Sequence, residues 1–262
     1  MRILLSLSIP LLLFVGILST HAAVKDDGLI LYFSFDKTDG KTIQDETGGG
    51  NDATIIADAK ITNDELVYGN GALLCDTNNS SVTVDSFNEL EQYKDNTFLF
   101  WLYFTKANSG GWDQIIAKKG PGSDRSPGIW TCNRVPLHIH YRFHPGNQGP
   151  ECAGPNGENS VFEIGKWYHI AGSKKGGQLT FFVDGKQTQQ NNVPADHVQG
   201  FEKLYIGKTS YNSAKFYLDE LYVYNRALDV DEVSDVMDGD LLPVEAQDKL
   251  TTTWGLLKTQ RD

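Results

Sequence analysis

The chain has 262 residues, 40% hydrophobic and 11% aromatic, with 26 Gly and 9 Pro. That is globular composition and excludes collagenous, coiled-coil and disordered classes. Lys and Arg number 23 against 34 Asp and Glu, a net charge of −11, so the chain repels nucleic-acid phosphates and anionic lipid surfaces. Such acidity suits either a solvated, charged surface or the binding of cations.

The first element is an export signal. Arg2 supplies a positive start, Ile3 to Leu18 is an apolar run, and Ser19-Thr20-His21-Ala22-Ala23 offers small residues for cleavage after Ala22 or Ala23. Residues 1–23 are therefore expected to be removed, which places the protein outside the cytoplasm: secreted, at a cell surface or in a periplasm. The run is short for a membrane span of about 20 residues, and no other stretch comes close, so no membrane insertion is expected after cleavage.

Strand-like runs follow, rich in β-branched and aromatic residues and separated by turn residues. They are Leu29–Phe35, Ser81–Val84, Thr97–Phe104, Gln114–Lys118, Leu137–Phe143, Trp167–Gly172, Leu179–Val183, Leu204–Gly207 and Phe216–Tyr224. Asp184-Gly185 and Gly176-Gly177 mark turns. Many short strands without alternating helices predict an all-β sandwich of two sheets. Trp101 and Trp167, inside apolar strands, read as core. Tyr222 and Tyr224 alternate with Leu221 and Val223, so the two pairs face opposite sides of their strand. Arg226, just after that strand, reads as a structural ion pair or carbonyl clasp.

One short C-terminal helix is predicted. Asp229 with Glu232 forms a capping box, Leu228 and Val233 are placed as a hydrophobic staple, and Gly239 ends the helix. Val230, Val233 and Val236 or Met237 form its apolar stripe. The fold is expected over residues 24–240, with residues 241–262 as an extension beyond it.

Three cysteines in an oxidising compartment allow three pairs. Cys132 and Cys152 flank a strand-like segment and are the preferred bridge; Cys75, in the apolar run Ala72–Cys75, reads as a buried free thiol. Asn78 and Asn79 each begin an N-x-S acceptor, which matters only in a host that glycosylates.

Several motifs then occur in a definite order: Leu31–Asp36, Gly48–Asp52, Gly69–Asp76, Thr97–Trp101, Trp167–Ala171, Phe182–Lys186 and Phe216–Leu228. Together they resemble a laminin-G-like domain of the concanavalin A-like lectin/glucanase superfamily, over roughly residues 28–240. The resemblance implies a two-sheet jelly roll, often carrying a structural Ca²⁺ and often binding glycans or serving as an accessory module. Cys75 stands where that family usually has an aromatic residue, and the loop between Cys132 and Cys152 is not a common feature of it.

A glycan-cleaving enzyme needs two carboxylates flanking the scissile bond. Asp219 and Glu220 are adjacent in one strand and so point to opposite faces. No Glu-x-Asp-x-x-Glu array and no Gly-x-Ser-x-Gly elbow occurs. The reading is therefore a binding module without catalysis, its partner an extracellular glycan or a cell-surface protein; the alternatives are a glycan-degrading enzyme and a purely structural adhesion module.

The segment Leu137–His144 alternates strictly. Leu137, Ile139, Tyr141 and Phe143 belong to the core side, and His138, His140, Arg142 and His144 to the other. That second row is either a solvated face, a sugar- or anion-binding row, or a His-x-His metal site, for which no carboxylate or thiolate stands at a local spacing. Trp112, flanked by Gly110 and Gly111 and outside any apolar period, is the aromatic expected to stack on a sugar beside His138, His140 and Arg142, or else to cap the core at a sheet edge.

The resemblance also places the first and last strands side by side. On that basis Asp36 and Asp219 are expected to be carboxylate ligands, and Asn51 a carbonyl ligand, of one structural Ca²⁺, which takes six to eight oxygens.

Overall fold

The computed structural model describes residues 24, 26–92, 94–133 and 136–240. The expected signal peptide and C-terminal extension lie outside the described residues.

The first sheet contains β1 (Leu29–Phe33), β5 (Lys60–Thr62), β6 (Ala72–Cys75), β8 (Asn96–Phe104), β12 (Trp167–Lys175), β13 (Gln178–Val183), β14 (Lys186–Asn192) and β16 (Phe216–Tyr224). Its order is β14-β13-β12-β8-β16-β6-β5, with β1 also paired to β16. The second sheet contains β2 (Thr38–Asp39), β3 (Thr42–Ile43), β4 (Ala53–Ala57), β7 (Ser81–Val84), β9 (Asp113–Lys118), β10 (Gly128–Thr131), β11 (Ile139–Arg142) and β15 (Leu204–Gly207). It runs β11-β10-β9-β15-β7-β4-β3-β2. This is the expected all-β, two-sheet jelly roll.

One large core fills the space between the sheets. The alternate residues Phe98, Phe100, Leu102 and Phe104 of β8 enter it from one side; Ile139, Tyr141, Val82 and Ile206 enter from the other. The period-2 pattern of each strand places these side chains on the buried face. Cys75 lies in this core as a free thiol, its pKa pushed by burial up to about 12.

A second, smaller core lies on the outer face of the first sheet. There α2 (Val230–Met237) covers Tyr32, Leu99, Ala171, Phe182, Tyr222 and Tyr224 with Val233 and Val236, helped by Leu228. The Asp229–Glu232 capping box is present. Val230, placed in the apolar stripe by the sequence, is instead 48% exposed; the helix buries Val233 and Val236. Arg226 acts as the clasp expected of it: Nε donates to the Asp27 carbonyl at 2.7 Å and an NH group pairs with Glu232 at 2.6 Å. A second helix, α1 (Asn88–Gln92), was not predicted; five residues carry too little periodicity to be read. Its Glu91 makes a buried 2.9 Å ion pair with Lys118.

β16 has two partners along one edge. Phe216–Leu218 pairs with β6, and Leu221–Tyr224 pairs with β1. The change occurs at a bulge, where Glu220 takes φ 53°, a conformation unusual for a side chain larger than Asn or Asp. The Glu220 carboxylate is buried there and accepts from Tyr32 Oη at 2.6 Å and Tyr222 Oη at 3.0 Å. The two tyrosine rings stack at 4.3 Å.

Candidate ligand-binding face

The candidate site starts from the outer face of β10 and β11, at the edge of the second sheet. Antiparallel register sets Trp130 opposite His140, and Gly128 opposite Arg142. The Trp130 ring folds back over Gly128; a Cβ there would lie 2.1 Å from it. Glycine at 128 is what lets the indole lie flat along the strand. Trp130 becomes almost fully buried, and its Nε1 has no hydrogen-bond partner among the described residues.

Rings link outward from this point. Trp112 sits 4.4 Å from His140, His140 5.8 Å from Trp130, and Trp130 5.7 Å from Tyr211. The Arg125 guanidinium lies 5.0 Å over Trp130, held by Asp124 at 2.6 Å and by the Asn147 side-chain oxygen at 2.9 Å. Trp112 and Tyr211, at the two ends, are half-buried.

The histidine row alternates as predicted, yet His138, His140 and Arg142 are only 8%, 5% and 9% exposed. The solvated-face reading is therefore corrected. The loop after β11 folds back over these side chains, and they hold it. Both His138 ring nitrogens face carbonyls, Nδ1 that of Pro136 at 2.7 Å and Nε2 that of Glu158 at 3.2 Å. His140 Nδ1 lies 2.6 Å from the Glu151 carbonyl, while its Nε2 accepts from Arg142 Nε at 3.3 Å. The neutral tautomer with hydrogen on Nδ1 satisfies both bonds. Burial, followed by the nearby Arg142 and Arg125 charges, lowers the His140 pKa to about 4. Arg142 also donates to the Gly149 carbonyl at 2.5 Å. With these ring nitrogens committed, His138 and His140 do not form a metal pair.

The Cys132–Cys152 bridge, with Cα atoms 5.9 Å apart, ties the same loop to the end of β10. Of the residues singled out in the sequence, the structure brings Trp112, His140 and Arg142 together beside the bridge, and sets His138 against the same loop. Sequence reasoning missed Trp130, Arg125 and Tyr211. The Gly128-x-Trp130 spacing, two residues on one face with the small one beneath the large, was the available signal for Trp130.

The three expected calcium ligands are not gathered in the same way. Asp36 Oδ1 accepts from the Asn70 and Gly71 amides at 2.5 and 2.7 Å. Asp219 accepts from Val67 and Tyr68 amides at 2.9 and 3.3 Å and from the Glu220 amide at 3.0 Å. Both carboxylates thus clamp the 67–71 turn. Asn51 belongs to a different loop, where its amide donates to Asp45 at 3.2 Å. Asp36 and Asp219 lie near enough for the Asp36 charge to act on Asp219, but Asn51 stands apart from them. Among the described residues, no group of three or more His, Cys, Asp or Glu is placed to hold a metal. As arranged, Asp36, Asn51 and Asp219 do not fit Ca²⁺. The expected result is a melting temperature unmoved by EDTA to within about 1 °C; a fall of several degrees, reversed by added calcium, would restore the ion.

Trp101 and Trp167, read as core, are corrected too. Both lie half-buried on the outer face of the first sheet, on the part that α2 leaves uncovered.

Comparison with known proteins gives the fold a lineage. No curated protein matches the chain. Among solved structures, a sialidase of Trypanosoma rangeli in complex with sialic acid superposes with a TM-score of 0.58 at 19% identity, covering 81% of this chain and 33% of the sialidase. The binding domain of Paraclostridial Mosquitocidal Protein 1 gives 0.58 at 13%, covering 80% of this chain and 52% of that one. The receptor-binding domain of botulinum neurotoxin type G gives 0.54 at 18%, covering 81% and 51%. The chain thus spans about a third of the sialidase and about half of each toxin structure, and identity at this level speaks to the fold. The reading of the chain as no enzyme is corrected by this comparison: sialidases share the fold, so it is not confined to modules without catalysis. The sequence profile of a concanavalin A-like lectin/glucanase family, Laminin_G_3, matches residues 76–234, and the chain belongs to that family.

Proposed function

We propose that this is an exported glycan-binding module that takes a sugar at the Trp112 edge of the second sheet. The observation carrying this reading is the unbroken run of ring contacts Trp112–His140–Trp130–Tyr211, with a guanidinium over its centre and half-buried rings at both ends. Sugar C–H faces pack on aromatic rings while hydroxyls take hydrogen bonds from fixed polar groups, and sites of this kind join an apolar wall to a few placed donors. The loop over His140 and Arg142 fixes those rings before any ligand arrives, so little ordering cost remains. Export is supported by the apolar start of the sequence and by the disulfide, a bond that persists in oxidising compartments.

The sialidase and toxin-domain neighbours suggest the first probes. Calorimetry of the full chain with lactose, N-acetyllactosamine and 3′-sialyllactose is expected to give saturable binding to at least one. Trp112→Ala is expected to weaken it about tenfold, the equivalent of about 1.4 kcal/mol, and His140→Ala by a similar factor. Affinity unchanged in both variants would remove this site; silence towards every sugar, with capture of a cell-surface protein, would favour a protein-binding module.

A further inference from the structure

The uncovered half of the first sheet's outer face carries a second cluster of aromatic rings. Register places Trp167 opposite Tyr103, and Tyr103 opposite Tyr217, on the adjacent strands β12, β8 and β16. Their ring centroids lie 5.4 and 5.6 Å apart in that order. One row up, Trp101 meets His169 at 5.2 Å and the edge of Tyr68 at 6.5 Å. Tyr68 Oη donates to the Met237 carbonyl at 2.9 Å, which marks where the α2 cover ends. The five tyrosine and tryptophan residues are half-buried, and His169 is buried beneath them.

We propose that the Trp167–Tyr103–Tyr217 strip is a second carbohydrate-binding surface, which takes three successive units of a single uncharged oligosaccharide chain lying across the strands. Four features support this assignment. Neighbouring strands repeat at about 4.7–4.9 Å, so one ring per strand produces a ladder spaced like successive sugar rings. Tyrosine and tryptophan join an apolar face to a polar tip, which suits a ligand with apolar faces and hydroxyl rims. The planes are turned by 57° between Tyr103 and Trp167 and by 85° between Tyr103 and Tyr217, so the strip matches a soluble, twisting chain and not a flat crystalline surface. Finally, the rim is acidic. Tyr103 Oη lies 3.4 Å from Glu65, and after burial the charges of Asp64, Glu65 and Asp76 raise the Tyr217 pKa. Such a rim repels carboxylated or sulfated sugars, which selects an uncharged ligand.

This surface lies on the opposite sheet from the Trp112 edge, so either site can fail alone. The test is a tryptophan-fluorescence titration of the full chain with laminarihexaose, maltohexaose, xylohexaose and chitohexaose, with 3′-sialyllactose as the anionic comparison. At least one uncharged hexasaccharide is expected to bind, about tenfold more weakly to Tyr103→Ala and to Tyr217→Ala. The two tyrosines sit half-exposed at different strands, and circular dichroism confirms that each variant is folded. Absence of binding by all four hexasaccharides would overturn the assignment, as would affinity indifferent to both tyrosine changes. Concentration-dependent self-association abolished by Tyr103→Ala would overturn it too, giving the face to a second copy of the chain.

Discussion

Replacing Asp219 by alanine is expected to lower the unfolding free energy by about 3–5 kcal/mol. Its carboxylate accepts three backbone amides, those of Val67, Tyr68 and Glu220, at a fully buried position. Each orphaned buried donor costs about 1–3 kcal/mol, and the turn they anchor closes the sheet where β16 changes partner. The same residue gives a pH signature. Burial raises the Asp219 pKa from 3.8 to about 7; the Val67 and Tyr68 amides oppose the rise and the Asp36 charge adds to it. The folded state then holds the proton more tightly than the unfolded chain, so the stability it contributes is full below pH 3.8 and lost as pH rises through about 7. Histidines act in the opposite sense. Burial lowers His169 and His197 to about 3 and His140 to about 4, so their stability is full above pH 6.5 and lost as pH falls. The two trends offset each other in the wild type. Glu220, buried beside Asp219, is shifted upward in the same sense by burial and by the Asp219 charge, so Asp219→Asn removes part of the first trend, and its stability in urea melts is expected to climb more steeply between about pH 5 and about pH 7 than that of the wild type. Parallel pH profiles would show that this carboxyl titrates like a surface one.

Removal of the disulfide, by Cys132→Ser with Cys152→Ser, is expected to cost about 3 kcal/mol, the chain-entropy value for a loop of this size. Its effect extends to the site. The bridge holds the segment whose Glu151 and Gly149 carbonyls fix His140 and Arg142, so sugar affinity at the Trp112 edge is expected to fall about tenfold as well. Urea melts and calorimetry on the same double variant measure both. A stability loss without an affinity loss would separate the loop from the site.

Which parts were readable in the sequence follows from how local each signal is. Ser81–Val84, Leu204–Gly207 and Phe216–Tyr224 were read at the bounds the structure gives, because β-branched and aromatic residues between turn signals mark strands within a few positions. β14, with the sequence Lys-Gln-Thr-Gln-Gln-Asn-Asn, has no apolar alternation; it is a strand because the Asp184-Gly185 turn folds it back onto β13. The predicted strand through Phe35 stops at Phe33, with Phe35 in the left-handed region at φ 64°.

Faces were harder to read than strands. Alternation separates Trp101 and Tyr103 from Phe100 and Leu102, yet it does not say which second face another element covers. α2 covers Leu99 and Tyr222 and stops short of Trp101, a fact of length and docking angle. The histidine row shows the converse: its alternation was legible, but the cover supplied by a loop seven to twenty residues downstream was not. The expectation of Asp219 as a metal ligand rests on the family resemblance, which sets the first and last strands side by side. The bulge at Glu220, which turns backbone amides onto that carboxylate, is a property of β16 switching between β6 and β1 and is written in no local pattern.

The central claim, that the chain binds glycans through aromatic rings on the outer faces of its sheets, is tested most directly by an array of immobilised glycans, charged and uncharged, probed with the full chain and with the Trp112→Ala and Tyr103→Ala variants. The predicted result is a restricted set of saturable signals, each lost in one variant and kept in the other. Signals that persist in both variants, or no signal from any glycan with the wild-type protein, would contradict it.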